Sequence, residues 1–149
     1  MTTSWHKLIL LANLAATLYL VGLIWCIQVV HYPLFSQVGQ AGFAAYEMAH
    51  ANLITLIVGP PMLLEAATTA LLLLYRPASV SLAAALFGAF LLVLIWLSTM
   101  FLQVPQHSRL ATGFDADAHR FLVVSNWVRT VAWSLRGGLL LWLTAKTMS

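Results

Sequence analysis

The stretch 103–136, QVPQHSRLATGFDADAHRFLVVSNWVRTVAWSLR, leaves one apolar run, crosses a short polar segment and enters a second apolar run carrying Asn126, Arg129 and Arg136. An ionised side chain at bilayer depth is expensive, so each such arginine needs a partner or a task. Working outward, two more apolar runs share the same punctuation. The expectation is an all-α chain: an integral membrane four-helix bundle forming a single domain, with spans at about 8–30, 44–75, 80–104 and 119–145. Each run reaches the roughly 20 residues that a helix needs to cross a bilayer.

Composition agrees. The chain has 149 residues, 62% hydrophobic and only 7% charged, with mean hydropathy +0.91. Soluble domains carry about 25% charged residues, so most of this surface must face lipid. The net charge of +3 comes from seven scattered basic groups, which are not a nucleic-acid footprint but topology signals. Lys7, Arg76 and Lys146 fall on one side, Arg109 and Arg120 on the other. That bias predicts an integral membrane protein with both termini cytoplasmic. Trp5 and Trp142 are expected near one interface, Trp25 and Trp127 near the other. The single cysteine, Cys26, excludes an intrachain disulfide and reads as a small hydrophobe. Phosphate-loop, nucleophile-elbow and Cys-x-x-Cys motifs are absent from the sequence.

Breakers divide the runs. HYPLFSQVGQAGF (31–43) reads as a loop, Pro60-Pro61 as a kink in the second span, and Pro105 as the end of the third. The halves also match at an offset of 71: Ile24-Trp25 with Ile95-Trp96, Gly42-Phe43 with Gly113-Phe114, and Glu65 with Arg136. Two tandem two-helix repeats would set Glu65 and Arg136 at equal depth on the second and fourth helices. A structural ion pair there would cancel two buried charges.

Four of the five histidines, His31, His50, His107 and His119, fall at one end together with Glu47, Asp115 and Asp117. Glu47 and His50 are three residues apart, on one helix face, as in carboxylate-bridged metal sites of four-helix bundles. Glu47, His50, His107 and His119 are therefore the candidate metal ligands, for a transition metal or, with two facing histidines, a haem. Against this, acids and histidines mark interfacial loops, and Asp115 or Asp117 can simply cap the last helix. His119, Asn126, Arg129 and Arg136 form one polar stripe on that helix. Glu65 can neutralise one arginine; Arg129 then faces a cavity, a ligand, another subunit's acid, or carbonyls freed by Pro60-Pro61. Gln28, Tyr46, Asn126 and Arg129 are the candidate ligand-binding residues. Asn52 and Gln103 can add hydrogen bonds to the same end.

The run Asn126-Trp127-Val128-Arg129-Thr130, set after Val104-Pro105 and a polar loop, resembles small four-helix bacterial membrane proteins of unassigned function. More distantly it is similar to the anthrone-oxygenase-like family, whose last helix carries an Asn-x-x-Arg element. That resemblance implies a compact membrane bundle, cofactor-free oxidation of an aromatic, phenol-like substrate, and Asn126 and Arg129 as pocket residues. Three functions follow as expectations. The first is a small-molecule, metal or haem site at the histidine-bearing end, oxidoreductase-like. The second is a non-catalytic accessory or structural subunit of a larger membrane complex. The third is a transporter built as a homo-oligomer. Membrane lipids are the expected surroundings in all three.

Overall fold

The computed structural model describes residues 2–148 and contains no strand among them. The chain is an all-α bundle. Helix α1 spans Thr2–Cys26, α2 Gln40–Leu74, α3 Leu82–Ser98, α4 Val104–Leu110 and α5 Ala116–Met148. The short α4 continues α3, so four rods make the bundle. Helix α1 packs on both α2 and α5, α3 packs chiefly on α5, and α2 meets α3 only lightly.

Three segments are long and apolar enough to cross a membrane: Trp5–Gln37, Gln40–Leu74 and Leu82–Leu110. The fourth rod, α5, has 33 residues and ample length, but it is not one of these three. Its polar residues explain the difference. Asn126, Arg129, Thr130 and Arg136 are all buried, while Phe121, Val124, Val128, Val131 and Leu135 form the exposed stripe. The face turned outward is thus as apolar as that of its neighbours, and the polarity lies inside the bundle. Trp25 and Trp127 meet edge to face at 5.6 Å, so they lie at one depth.

Two expected breaks prove to be continuous helix. Residues 31–37 were expected in a loop, and Pro105 was expected to end the third span. Instead α1 widens into a π-helical turn, Ile27–His31, followed by a single helical turn, Tyr32–Leu34, and a 3-10 turn, Phe35–Gln37. Likewise α3 widens into a π-helical turn, Thr99–Gln103, and resumes as α4. Each π turn sits just before a proline, which then occupies the first turn of the helix that follows. There a missing N–H and a fixed φ cost little. The two halves therefore repeat one plan: long helix, π turn, proline-led turn, long helix. Pro33 and Pro105 are offset by 72 where the tryptophans are offset by 71, so the second half carries one more residue between those landmarks. Helix α2 passes through Pro60 and Pro61 as a single helix. Those prolines leave the carbonyls of Leu56 and Ile57 without helical donors.

The connections are short. Ser81 caps α3, its Oγ accepting from the Ala84 N–H at 3.2 Å. Of the two acids expected to cap α5, Asp115 does so, its Oδ1 accepting from the N–H groups of Asp117 (3.0 Å) and Ala118 (2.9 Å). Gly113 supplies the turn before it with φ +143°, a conformation costly for any side chain.

The expected pair of Glu65 and Arg136 lies at the centre of the bundle. Arg136 Nε donates to Glu65 Oε1 at 2.7 Å, with side chains 1% and 0% exposed. All four rods contribute to it. Thr17 of α1 and Trp133 of α5 donate to the Glu65 carboxylate at 2.5 and 3.1 Å. Arg136 donates on to Asn13 at 3.1 Å and Thr69 at 2.5 Å, and to the backbone carbonyl of Gly88 on α3. Each of the three guanidinium nitrogens thus finds an acceptor, which is what lets an ion pair persist away from water.

Candidate functional site

Among the described residues the second buried arginine has no such partner. The chain holds four acidic residues, and each is engaged elsewhere: Glu47 with His107, Asp115 with Arg109, Asp117 with Arg120 and Glu65 with Arg136. Arg129 is 6% exposed and meets only neutral groups. Its Nε donates to Asn126 Oδ1 at 2.8 Å and its Nη1 to Thr99 Oγ1 at 3.4 Å. Nη2 donates to the Tyr32 hydroxyl at 3.2 Å and closely to Asn126 Oδ1. The carbonyls freed by Pro60-Pro61 are not among these acceptors.

Asn126 is itself held from behind. Its Nδ2 donates to Gln28 Oε1 at 2.8 Å, and Gln28 Nε2 donates to the Val123 carbonyl at 3.0 Å. The π turn makes this possible. It brings Gln28 inward and, four positions on, Tyr32, which is 3% exposed. π turns are frequent at functional sites for this reason: one extra residue re-aims the side chains around it.

Tyr32 is the junction. Its hydroxyl lies 2.9 Å from His107 Nε2, and His107 Nδ1 lies 2.5 Å from Glu47 Oε1. With Glu47 ionised, only Nδ1 can carry the shared proton. With the imidazole neutral, Nε2 is the acceptor and the Tyr32 O–H donates to it. The order is carboxylate, imidazole, phenol, guanidinium. Glu47 is fully buried, and its Oε2 has no protein partner. A carboxylate so placed orients the imidazole and stabilises the imidazolium that forms when it takes a proton. The guanidinium beside the Tyr32 oxygen stabilises the matching negative charge.

This chain of groups opens on a cleft of about 670 Å3 between α2 and the α3–α4 rod. Tyr32, His107 and Arg129 are its ionisable groups, Asn52, Thr55, Thr99, Gln103 and Ser108 add neutral polar ones, and Ile54, Val58, Met62 and Trp96 form much of the apolar wall. The volume falls in the range of small-molecule sites, and so does the pattern of an apolar wall with a few convergent polar groups.

Of the four expected ligand-binding residues, only Arg129 lines the cleft. Asn126 and Gln28 stand behind it as supports. Tyr46 lies elsewhere, stacked on His50 with ring centroids 6.5 Å apart. Asn52 and Gln103 do line the cleft. The four expected metal ligands gather at one end but disperse into separate pairs. Glu47 and His107 bond to each other, His50 Nδ1 lies 2.9 Å from His31 Nε2, and His119 Nε2 lies 2.8 Å from the Tyr32 carbonyl oxygen. Among the described residues no three histidine, cysteine or acidic side chains are grouped to share a metal ion. The histidines that do face each other, His31 and His50, are too close to flank a haem. Tyr32, Thr99, Met62 and Trp96 were absent from the sequence-derived set. A proline at matching places in both halves, Pro33 and Pro105, was the available signal that 31–32 and 103–104 are related positions inside helices.

Comparison with protein-family models, with curated proteins and with solved structures finds no match for this chain. Fold and site thus define it as a small helical membrane bundle with a lateral cleft. A hydrogen-bonded acid–base chain and a buried arginine without an acid form the floor of that cleft.

Proposed function

We propose that this protein binds a phenol-like small molecule in the cleft and removes its proton. The observation that carries the reading is the Glu47–His107–Tyr32–Arg129 chain ending at the cleft. A ligand O–H placed beside Tyr32 gives up its proton as Tyr32 passes its own to His107. Arg129 holds the resulting oxyanion, and Glu47 holds the imidazolium. Thr99 and Gln103 orient the ligand, and the apolar walls exclude water, which strengthens each of these interactions.

Oxidation is the second half of this reading: a ligand with two hydroxyls on its ring, held through its phenolate, passes two electrons and its two hydroxyl protons to dioxygen and leaves as the quinone, with hydrogen peroxide as the other product. It is supported by the Asn126-x-x-Arg129 resemblance. The three-to-two distribution of basic residues supports an orientation with both termini cytoplasmic.

The test uses 4-nitrophenol, whose phenolate absorbs at a longer wavelength than the neutral form. Bound to detergent-purified protein, it is expected as phenolate at a pH where the free compound is largely protonated. Arg129→Gln and His107→Ala are expected to return the spectrum to the neutral form. A wild-type complex with neutral nitrophenol, or a phenolate signal indifferent to Arg129→Gln, overturns the proposal.

A further inference from the structure

We propose that the natural ligand is a lipid-soluble phenol carrying a hydrocarbon chain, and that it reaches Tyr32 and Arg129 sideways from the bilayer, between α2 and α3. This rests on the acid–base reading above and adds to it the substrate class and the route.

The shape of the cleft comes first. Its α2 wall includes Met48, Asn52, Thr55, Gly59 and Met62, one helical edge. At the rise of an α-helix that edge is roughly 21 Å long. The cleft is therefore a slot parallel to the rods and suits an extended molecule better than a round one. The slot lies within two of the membrane-crossing segments, Gln40–Leu74 and Leu82–Leu110, where α2 and α3 pack only lightly. Its long open side therefore faces lipid. Met48 on one rim is 53% exposed and Val104 on the other 52%.

The polarity comes second. The ionisable lining groups, Tyr32, His107 and Arg129, are joined in one hydrogen-bonded chain. Asn52, Thr55 and Ser108 add only neutral polar groups to the lining, so the cleft fits one ionisable head on a mainly apolar body. The head must be acidic enough to pair with Arg129 once ionised, yet still protonated on arrival. A phenol, with a pKa of about 10, meets both conditions, whereas a carboxylic acid arrives already ionised and leaves the Glu47–His107–Tyr32 relay without work. Trp96 and Met62 offer an aromatic ring the edge and sulfur contacts it favours.

Gly59 gives the handle for a test. A Cβ built there meets nothing within 4 Å, so a side chain can start from the cleft wall without a clash at its first atom. Wild type and Gly59→Phe in lipid nanodiscs would be titrated with 4-decylphenol, 4-methylphenol and decanoate. Thr55→Phe serves as a second plug should Gly59→Phe fold poorly. Comparing variants for the same ligand cancels its partition into lipid. The expected result is at least a 10-fold loss of 4-decylphenol affinity in the plugged variant, with 4-methylphenol affinity changed less than 3-fold. Equal losses for both phenols, or no loss for either, overturn the lateral route while leaving the acid–base site intact. Tighter binding of decanoate than of 4-decylphenol overturns the phenol class. Loss of phenol binding in Arg129→Gln separates these outcomes from failure of the site itself, since only a functioning site shows that dependence.

Discussion

Two arginines seven residues apart on α5 have opposite circumstances, and single residues decide which is which. Arg136 has Glu65 and further acceptors on all three of the other rods. Removing one partner leaves the other charge buried and unpaired, a loss of about 3–5 kcal/mol. Glu65→Gln and Arg136→Met are each expected to destabilise by that order in detergent unfolding, and the double variant by less than the sum of the two. Additive losses would show that the pair is not coupled. Arg129 has no acid, so Arg129→Met removes a charge whose burial is uncompensated. It is expected to leave stability within about 1 kcal/mol of wild type, or to raise it, while abolishing the nitrophenolate signal. The Glu65–Arg136 pair was legible in the sequence because the acids are so few. The junction residue Tyr32 was not, because a tyrosine between a histidine and a proline looks like a loop residue until the π turn carries the helix past it.

Among elements, the glycines and π turns show how close approach and register are set. At Gly88 a Cβ would lie 3.2 Å from Arg136 Nη1, whereas at Gly59 it would meet nothing. Helix propensity alone favours alanine at both sites by about 1 kcal/mol. Gly59→Ala is therefore expected to raise stability modestly. Gly88→Ala is expected to lower it, because Arg136 is also held by Glu65, Asn13 and Thr69 and cannot retreat. Equal shifts in thermal unfolding would refute the contact. The π turns make a different demand. Deleting Val30, which is exposed, converts the turn Ile27–His31 to ordinary α-helix, so that Gln28 and Tyr32 stand three residues apart on an α-helix instead of four apart across a wider turn and no longer point at the same neighbours on α5. Helical content should survive and the nitrophenolate signal should vanish. The cap of α5 responds to pH. The Asp115 carboxyl is held below the usual carboxylate range, first by the Ala118 N–H and then by the Arg109 guanidinium. A depressed pKa means that the cap is in place above the unfolded value of about 3.9 and is lost as pH falls through the lower folded value. The Ala118 amide resonance should report that midpoint, and Asp115→Asn should remove the titration. None of these features follows from hydropathy. A window of apolar residues reports length and burial, while a five-residue π turn or a single helix–helix contact lies below its resolution.

At the scale of the whole molecule, the two halves share one plan but use it differently. At the offset of 71, Arg136 corresponds to Glu65 and Arg129 to Val58. The first correspondence gives a closed ion pair. The second leaves an arginine opposite an apolar residue, and Val58 and Arg129 line the same cleft. The sequence carried that asymmetry in its acid count. The cleft was not legible there, because it depends on how far apart α2 and α3 stand, which no local pattern records. If the missing acid keeps the site open for a ligand, supplying one should close it. Val58→Glu puts a carboxylate where a bound phenolate would lie. The charge-assisted hydrogen bonds to Arg129 are worth about 1.5–3 kcal/mol, so the variant should be more stable than Val58→Gln, which has the same size without the charge. Phenol binding should fall at least 10-fold in Val58→Glu, by about 1.4 kcal/mol or more, and much less in Val58→Gln. Stability gained together with binding lost is the outcome expected of a site that keeps a buried charge unpaired for its ligand. A Val58→Glu protein that binds phenol as wild type does would mean that Arg129 serves the fold and not the ligand.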